Sequence, residues 1–408
     1  MSAPQLLVRD LVQLATPAGR DAPLRGADLG AVEVVEDAFV LCSGDTIAAV
    51  GRMRDLPALD GPTVEVDGRG LCAIPGLVDC HTHAAFGGDR VDEFSLRAGG
   101  ASYEELHARG GGIASTVRAT RAAGEDGLRA AVARHRGWML RHGTTTFESK
   151  SGYGLDRDTE LASLRAIRDA GGVPTWLGAH SVPPEYGGDV DAYLDFALTE
   201  VLPDAAAIAV AADVFLERGA FDAAQARRYL EACRDAGLAL RLHGDQFTES
   251  GAIPLAVELG ARSVDHLEAT GPDGVRALAS SDVVGVLLPA SALFLGRSMP
   301  PGRALVDAGA AVALATDFNP GSAFCESLPL CCSLAATQLK LAPAEALAAC
   351  TVNAAHVLGA GGRLGRLAPG YRADVVLLDA PDWRYLAYHL AGDVVATVIK
   401  GGTVAYRR

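Results

Sequence analysis

The sequence contains no CxxC pair, no uninterrupted apolar run of about 20 residues, and fewer basic than acidic residues, 36 against 50. Each shortage closes off a class of protein. Without paired spacing, the eight cysteines (Cys42, Cys72, Cys80, Cys233, Cys325, Cys331, Cys332 and Cys350) offer no small-domain disulfide framework. Most lie in apolar runs and read as buried, reduced thiols of a cytoplasmic enzyme. No membrane span is expected, and MSAPQLLVRDLVQLATPAG lacks the basic start and apolar core of a signal peptide. A formal net charge of −14 argues against nucleic acid or an anionic membrane as the main partner. An anionic small molecule would then need a local positive centre, an arginine or a metal ion.

What is there is an ordinary globular composition, 49% hydrophobic and 21% charged over 408 residues. That suffices for one large barrel or two ordinary domains. Short β-like runs fill the N-terminal part: QLLVRDLVQLA, AFVLCSGDTIAAVGRM and TVEVDGRGLCAI, with SGD a hairpin signal between alternating runs. ADVVLLDA and DVVATVIKGGTVAYR repeat that texture at the far end. Neither end suffices alone, so residues 1–72 and 360–408 are expected to form one small β-sandwich domain.

Residues 73–359 have another rhythm. Eight strand candidates (IPGLVDCHTH, GTTTFESKSG, VPTWLGAHSV, ADVFLERGAF, LALRLHGDQF, RSVDHLEAT, VVGVLLPAS and AVALATDFNPG) alternate with helical stretches. DTELASLRAIRDAG and DAAQARRYLEACRDAG, for example, carry apolar residues at 3–4 spacing and end in Gly. Eight such units imply a (β/α)8 TIM barrel. The alternative, an open doubly wound sheet, lacks the GxGxxG expected after its first strand.

Polar residues gather at the C-terminal ends of these candidates, the catalytic face of such a barrel. His81 and His83 end the first, Lys150 and Tyr153 follow the second, and His180 ends the third. Glu217 ends the fourth, His243 and Gln246 the fifth, His266 the sixth and Asp317 the eighth. Residues i and i+2 of a strand share a face, with Cα atoms roughly 6.6 Å apart. Two imidazoles so placed can converge on one ion at about 2.0–2.1 Å. An HxH pair alone is weak; His243 and Asp317 on the same rim turn it into a candidate four-ligand site. Three imidazoles and a carboxylate suit one Zn2+ or Fe2+/Fe3+ and leave room for a water whose pKa falls towards ~7.

His180 and His266 read as pocket-facing, orienting water or polarising a substrate; the plain alternative is a rim histidine bonded to a backbone carbonyl. Val264, two residues before His266, is apolar, as expected beside a barrel-lining position. A second metal would want a bridging ligand on the fourth strand, often a modified lysine. Glu217 stands there while Lys150 follows the second strand, so one metal is expected and Lys150 reads as an ion-pair or hydrogen-bond partner.

These segments resemble the amidohydrolase superfamily and, within it, the imidazolonepropionases of histidine degradation. GLVDCHTHAAFGGDR, GGGIASTVRATR, GTTTFESKSGYGL, AHSVPPEY, HGDQF, VDHLEAT and ATDFNPGS all resemble that family's segments, in order. HTH with a late Asp marks only the superfamily; KSGYG with TDFNPGS is more specific. The resemblance implies a metal-dependent hydrolysis of 4-imidazolone-5-propanoate to N-formimidoyl-L-glutamate. It implies His81, His83, His243 and Asp317 as metal ligands. Arg90, Tyr153, His180, Gln246, Asn319, Gly321 and Ser322 would touch substrate or product, and His266 would assist the chemistry. Cys80 stands where that family commonly has a small hydroxyl residue, and Gly244 where alanine is usual.

Chemistry supports these roles separately. Arg90 offers planar donors for a carboxylate or carbonyl seven residues beyond His83, and Tyr153 can donate a phenol. Asn319 and Ser322 set polar groups beside Asp317, with Gly321 allowing close backbone approach. Asp317 is expected to carry the proton, with His266, His180 and Gln246 assisting at the reacting ring. Deamination of a heterocycle is the rival activity. It wants an ionisable Glu three residues after the fifth-strand histidine, and the amide of Gln246 cannot shuttle a proton near neutrality. A non-catalytic scaffold that binds partners is the rival from another class, yet none of the four ligands is missing. A homodimer is the expected assembly.

Overall fold

The computed structural model describes residues 5–59, 61–100 and 111–408. The first four residues of the segment read for targeting, and the first glycine of GGGIASTVRATR, lie outside these. Five strands come first: β1 (Gln5–Pro17), β2 (Val32–Ser43), β3 (Thr46–Arg52), β4 (Thr63–Asp67) and β5 (Cys72–Pro75). Eight follow through the middle of the chain: β6 (Leu77–Asp79), β7 (Thr144–Lys150), β8 (Val173–Ala179), β9 (Ala211–Leu216), β10 (Ala239–Gly244), β11 (Ser263–His266), β12 (Val284–Leu287) and β13 (Val312–Leu314). Three close the chain: β14 (Val375–Leu378), β15 (Val395–Lys400) and β16 (Thr403–Arg407).

The two termini build one mixed sheet in the order β16-β15-β14-β5-β1-β2-β3, with β4 beside the first part of β1. Gly44 and Asp45 of the SGD signal turn β2 into β3, pairing Ser43 with Thr46. β1 bulges between Val8 and Leu11, where Asp10 takes φ 57°. Its later part then pairs with β5 instead of β4. Leu6, Val8, Leu14, Val40, Val375 and Ile399 meet in one core beneath this sheet, so the ends of the chain are held to each other.

β6 to β13 lie side by side in chain order and parallel, with helices in the connections. The helix Arg157–Asp169 shows why these segments coil. Asp156 accepts from Thr159 N at 2.8 Å at its start, and Leu161, Leu164 and Ile167 bury one stripe. A capping box of Asp222 and Gln225 opens the helix Ala223–Asp235 in the same way. The barrel closes just beyond β6 and β13. Asp317 N donates to His81 O at 3.1 Å and His83 N to Phe318 O at 2.9 Å, around a Thr82–Phe318 bridge. The closing seam is thus made by the residues expected to bind metal.

The first strand candidate divides. Ile74 and Pro75 belong to the terminal sheet and Leu77–Asp79 to the barrel. One extended apolar run serves both sheets, and hydrophobic pattern alone cannot mark the crossing. Seven of the eight cysteines are buried and Cys325 half-buried, all as free thiols. Among the described residues, no helix is long and apolar enough to cross a membrane.

Candidate metal centre

His81 Nδ1 donates to Asp265 Oδ2 at 2.5 Å, and His243 Nδ1 to Asp213 Oδ1 at 3.0 Å. Each carboxylate places the ring proton on Nδ1 and leaves an Nε2 lone pair facing inward. His81 Nε2 is buried with no hydrogen-bond partner among the described residues, 3.5 Å from Asp317 Oδ1. His83 Nε2 lies 3.4 Å from that same oxygen and 3.3 Å from His243 Nε2. A lone pair facing a carboxylate repels it unless a cation sits between them. The separations match the ~3.3 Å edge of a tetrahedron whose corners lie about 2.0–2.1 Å from one ion. The donor set therefore fits a single divalent metal.

Burial lowers the His83 pKa, and lowers that of His243 to about 4 against the pull of Asp213. Both rings are neutral, the form that ligates. Burial would raise the Asp317 carboxyl, whereas a proton shared from His81 or His83 would hold it well below the usual carboxylate range; a bound cation would take that proton's place.

Three of these four side chains, His83, His243 and Asp317, line a cavity of about 430 Å³, a small-molecule size. Arg90, Tyr153, His180, Gln246, His266, Asn319, Gly321 and Ser322 line it too. His180 Nδ1 donates to Gly152 O at 2.9 Å, and burial keeps the ring neutral, its pKa well below normal. Its other nitrogen is left as an acceptor. Tyr153 is buried beside it, at 5.2 Å between ring centroids, and burial raises the phenol so that it stays a donor.

Arg90 is not free. Nε donates to Glu93 Oε2 at 2.9 Å and Nη2 to Glu93 Oε1, which leaves Nη1 uncommitted to that pair. A Cβ on Gly321 would lie 2.1 Å from Nη1, so only glycine lets the guanidinium approach this loop. Asn319 turns inward. Its Oδ1 accepts from Gly321 N and Ser322 N, each at 2.8 Å, and its Nδ2 donates to Asp317 O at 2.6 Å. The Ser322 hydroxyl donates to Asp317 Oδ2 at 3.2 Å. Within this loop, Asn319 shapes the chain while Ser322 steadies the carboxylate.

His266 reaches the cavity by another route than the sequence suggested. Alternation along β11 would send it outward with Val264, which packs near Ala252 on the helix side. A backbone φ of 88° turns its ring inward instead, and one ring nitrogen comes within 4.8 Å of nitrogens of His81 and His243. Val264 therefore carried no information about His266. Burial would lower the His266 pKa, but Glu268, 3.4 Å away, outweighs it and the net shift is upward.

Lys150 and Glu217 are not among the residues that line the cavity. Lys150 Nζ lies 2.8 Å from both Glu148 Oε1 and Asp213 Oδ2. Glu217 accepts from Arg218 N and Phe247 N at 2.8 Å each and so ties down the loop after β10. Gly244 fills a tight contact, since a Cβ there would lie 2.2 Å from that of Ala252. Alanine at this place needs the neighbouring helix to shift.

Sequence reasoning missed the carboxylates Asp213 and Asp265, though both sat inside strand candidates. It also missed the rim arginines. The Arg97 guanidinium lies 4.9 Å from the Phe294 ring centroid, and that of Arg297 lies 5.1 Å from the Phe247 centroid. Glu160 was missed as well. It accepts from Gly152 N at 3.0 Å, Gly154 N at 2.8 Å and Leu155 N at 2.9 Å, and so holds the turn that carries Tyr153 and the His180 acceptor. Glu160→Gln places a donor against one of these N–H groups. It is expected to lower kcat/KM about tenfold, a loss of ~1.4 kcal/mol in transition-state binding. Steady-state kinetics checks this, and an unchanged kcat/KM would show that the turn holds itself.

A family model described as the amidohydrolase family matches residues 72–405. The chain is 63% identical to an imidazolonepropionase of Rubrobacter xylanophilus, across 98% of this chain and 99% of that protein. It is 49% identical to one of Chloroflexus aggregans, across 98% of each. Among solved structures, the atrazine chlorohydrolase of Arthrobacter aurescens complexed with zinc superposes with TM-score 0.70 at 19% identity, over 98% of this chain and 95% of that one. E. coli guanine deaminase superposes with TM-score 0.71 at 15% identity, over 99% of each. At such identities the structural likeness speaks for the fold alone.

Proposed function

The chain belongs to the amidohydrolase family, and from that premise we infer that it hydrolyses the ring amide of 4-imidazolone-5-propanoate to N-formimidoyl-L-glutamate. The observation that carries this reading is the convergence of His81, His83, His243 and Asp317 at a cavity that holds Gln246 where a deaminase needs an ionisable shuttle. Full-length relatives named imidazolonepropionase support the substrate.

His81, His83, His243 and Asp317 would hold one Zn2+ or iron ion. Bound there, it supplies Lewis acidity, lowering the pKa of water towards ~7 and polarising a carbonyl. The residues of the chain do the rest. Arg90 Nη1 and the Tyr153 phenol hold the propanoate, fixing which ring carbon faces the ligand cluster. Asp317 takes a proton from the attacking water as its oxygen bonds to that carbonyl carbon. As the carbon–nitrogen bond breaks, Asp317 returns the proton to the leaving ring nitrogen. His266 donates toward the developing oxyanion, His180 accepts from the substrate through its free ring nitrogen, and Gln246 orients the ring. The buried, reduced thiols suit a cytoplasmic setting.

The test is a coupled assay in which urocanase supplies the substrate and loss of imidazolone absorbance is followed. Turnover that a chelator abolishes is expected. Turnover of amino-heterocycles with none of the imidazolone would favour a deaminase instead.

A further inference from the structure

Beneath the candidate ligands lie five ionic side chains, of which only Asp213 and Asp265 have so far been given a part, as partners of His243 and His81. Glu148, Lys150, Asp213, Arg241 and Asp265 are at most 1% exposed. Strand alternation puts them there: Glu148 and Lys150 are two apart on β7, and Arg241 precedes His243 by two on β10. Interior layers of such barrels are ordinarily filled by branched apolar residues. Ions in their place are poor stabilisers, because desolvation offsets their attraction. Their contacts point to another use.

Hydrogen bonds and, at the Arg241 Nη1–Glu148 and Lys150–Asp213 links, ion pairs lead from one candidate ligand histidine to another. His81 Nδ1 donates to Asp265 Oδ2, and that oxygen also accepts from Arg241 Nη2 at 2.7 Å. Arg241 Nη1 lies 3.1 Å from Glu148 Oε1, which accepts from Lys150 Nζ at 2.8 Å. Lys150 Nζ lies 2.8 Å from Asp213 Oδ2, and Asp213 Oδ1 accepts from His243 Nδ1. Glu148 Oε2 also accepts from Thr82 N at 3.1 Å, the peptide between His81 and His83.

We propose that Lys150 and Arg241 are positioning residues for the metal site, two cations shared among three carboxylates that aim His81 and His243 at one point. The inference rests on the metal reading above. Lys150 acts on His243 through Asp213, and Arg241 acts on His81 through Asp265. The two arms join at Glu148 Oε1, so disturbing either loosens both, and their effects overlap.

The experiment is Co2+ titration of chelator-stripped, full-length protein, read by the visible absorption of the bound ion and by Zn2+ competition. Wild type is expected to take up one equivalent. Lys150→Met and Arg241→Met should each weaken Co2+ affinity about 10–100-fold, with altered absorption bands. The double variant should lose far less than the product of the two. Arg241→Lys, which keeps the charge, should recover part of the affinity. Circular dichroism confirms folding before titration; where a methionine variant does not fold, Lys150→Gln or Arg241→Lys replaces it, with about a tenfold loss expected. Unchanged affinity in a folded variant, or losses that multiply in the double, overturns the proposal. A wild type that takes up no stoichiometric Co2+ overturns the metal reading and this proposal together.

Discussion

Asp317→Asn is expected to lower kcat by about 10³–10⁴-fold, the upper range for loss of a positioned acid–base group. The geometry gives the two carboxylate oxygens different surroundings. Oδ1 faces His81 and His83, while Oδ2 accepts from the Ser322 hydroxyl. An asparagine can keep an oxygen toward the histidines, but it can neither take a proton from water nor return one to the leaving nitrogen. Its NH2 group also meets the Ser322 hydroxyl, which must then turn and accept. Substrate binding through Arg90 and Tyr153 should persist, so KM should move much less than kcat. Steady-state kinetics with metal content measured alongside separates the outcomes. Near-normal kcat in a metal-loaded variant would remove Asp317 from the proton path. Ser322→Ala serves as the companion, with about a tenfold loss in kcat expected from one lost hydrogen bond to a charged acceptor.

The convergence of His81, His83, His243 and Asp317 was legible because barrel strands present their last residues to one face, and all four fall at or just beyond such ends. The layer beneath was legible in principle. ESK in β7 and RLH in β10 each put two ionic or imidazole side chains on the same face of a strand. In β9, Asp213 interrupts an apolar run, and in β11 Asp265 stands between Val264 and His266. Read one strand at a time, each looks like an isolated oddity; only the sheet order brings them together. His266 was legible as a polar residue at a strand end, but the alternation argument for it failed. A left-handed residue reverses the side-chain direction, and no periodicity announces one. The Arg90–Glu93 pair is a plain i,i+3 contact in sequence. What it leaves available to a substrate depends on where Gly321 brings the opposite loop.

Removing the metal is expected to abolish turnover and also to destabilise the fold, and the second effect is the sharper test. Without a cation, His81 Nε2 faces Asp317 Oδ1 at 3.5 Å with no proton to share. These residues sit on the seam where the barrel closes, held by Asp317 N to His81 O and His83 N to Phe318 O. Repulsion among the ligands therefore bears on the bonds that shut the barrel. An ion bound only by the folded state stabilises it by RT ln(1 + [L]/Kd), about 4 kcal/mol at a thousandfold excess over Kd. Chelator-treated protein should thus melt several degrees lower, and Zn2+ or Fe2+ should restore both the melting temperature and turnover. Lys150→Met should narrow the gap between metal-free and metal-loaded melting, because it weakens binding. Asp265→Asn should narrow it as well, since it loosens His81. A melting temperature indifferent to chelator, with activity intact, would mean that these four side chains close the barrel without an ion, and that the chemistry lies elsewhere in the cavity.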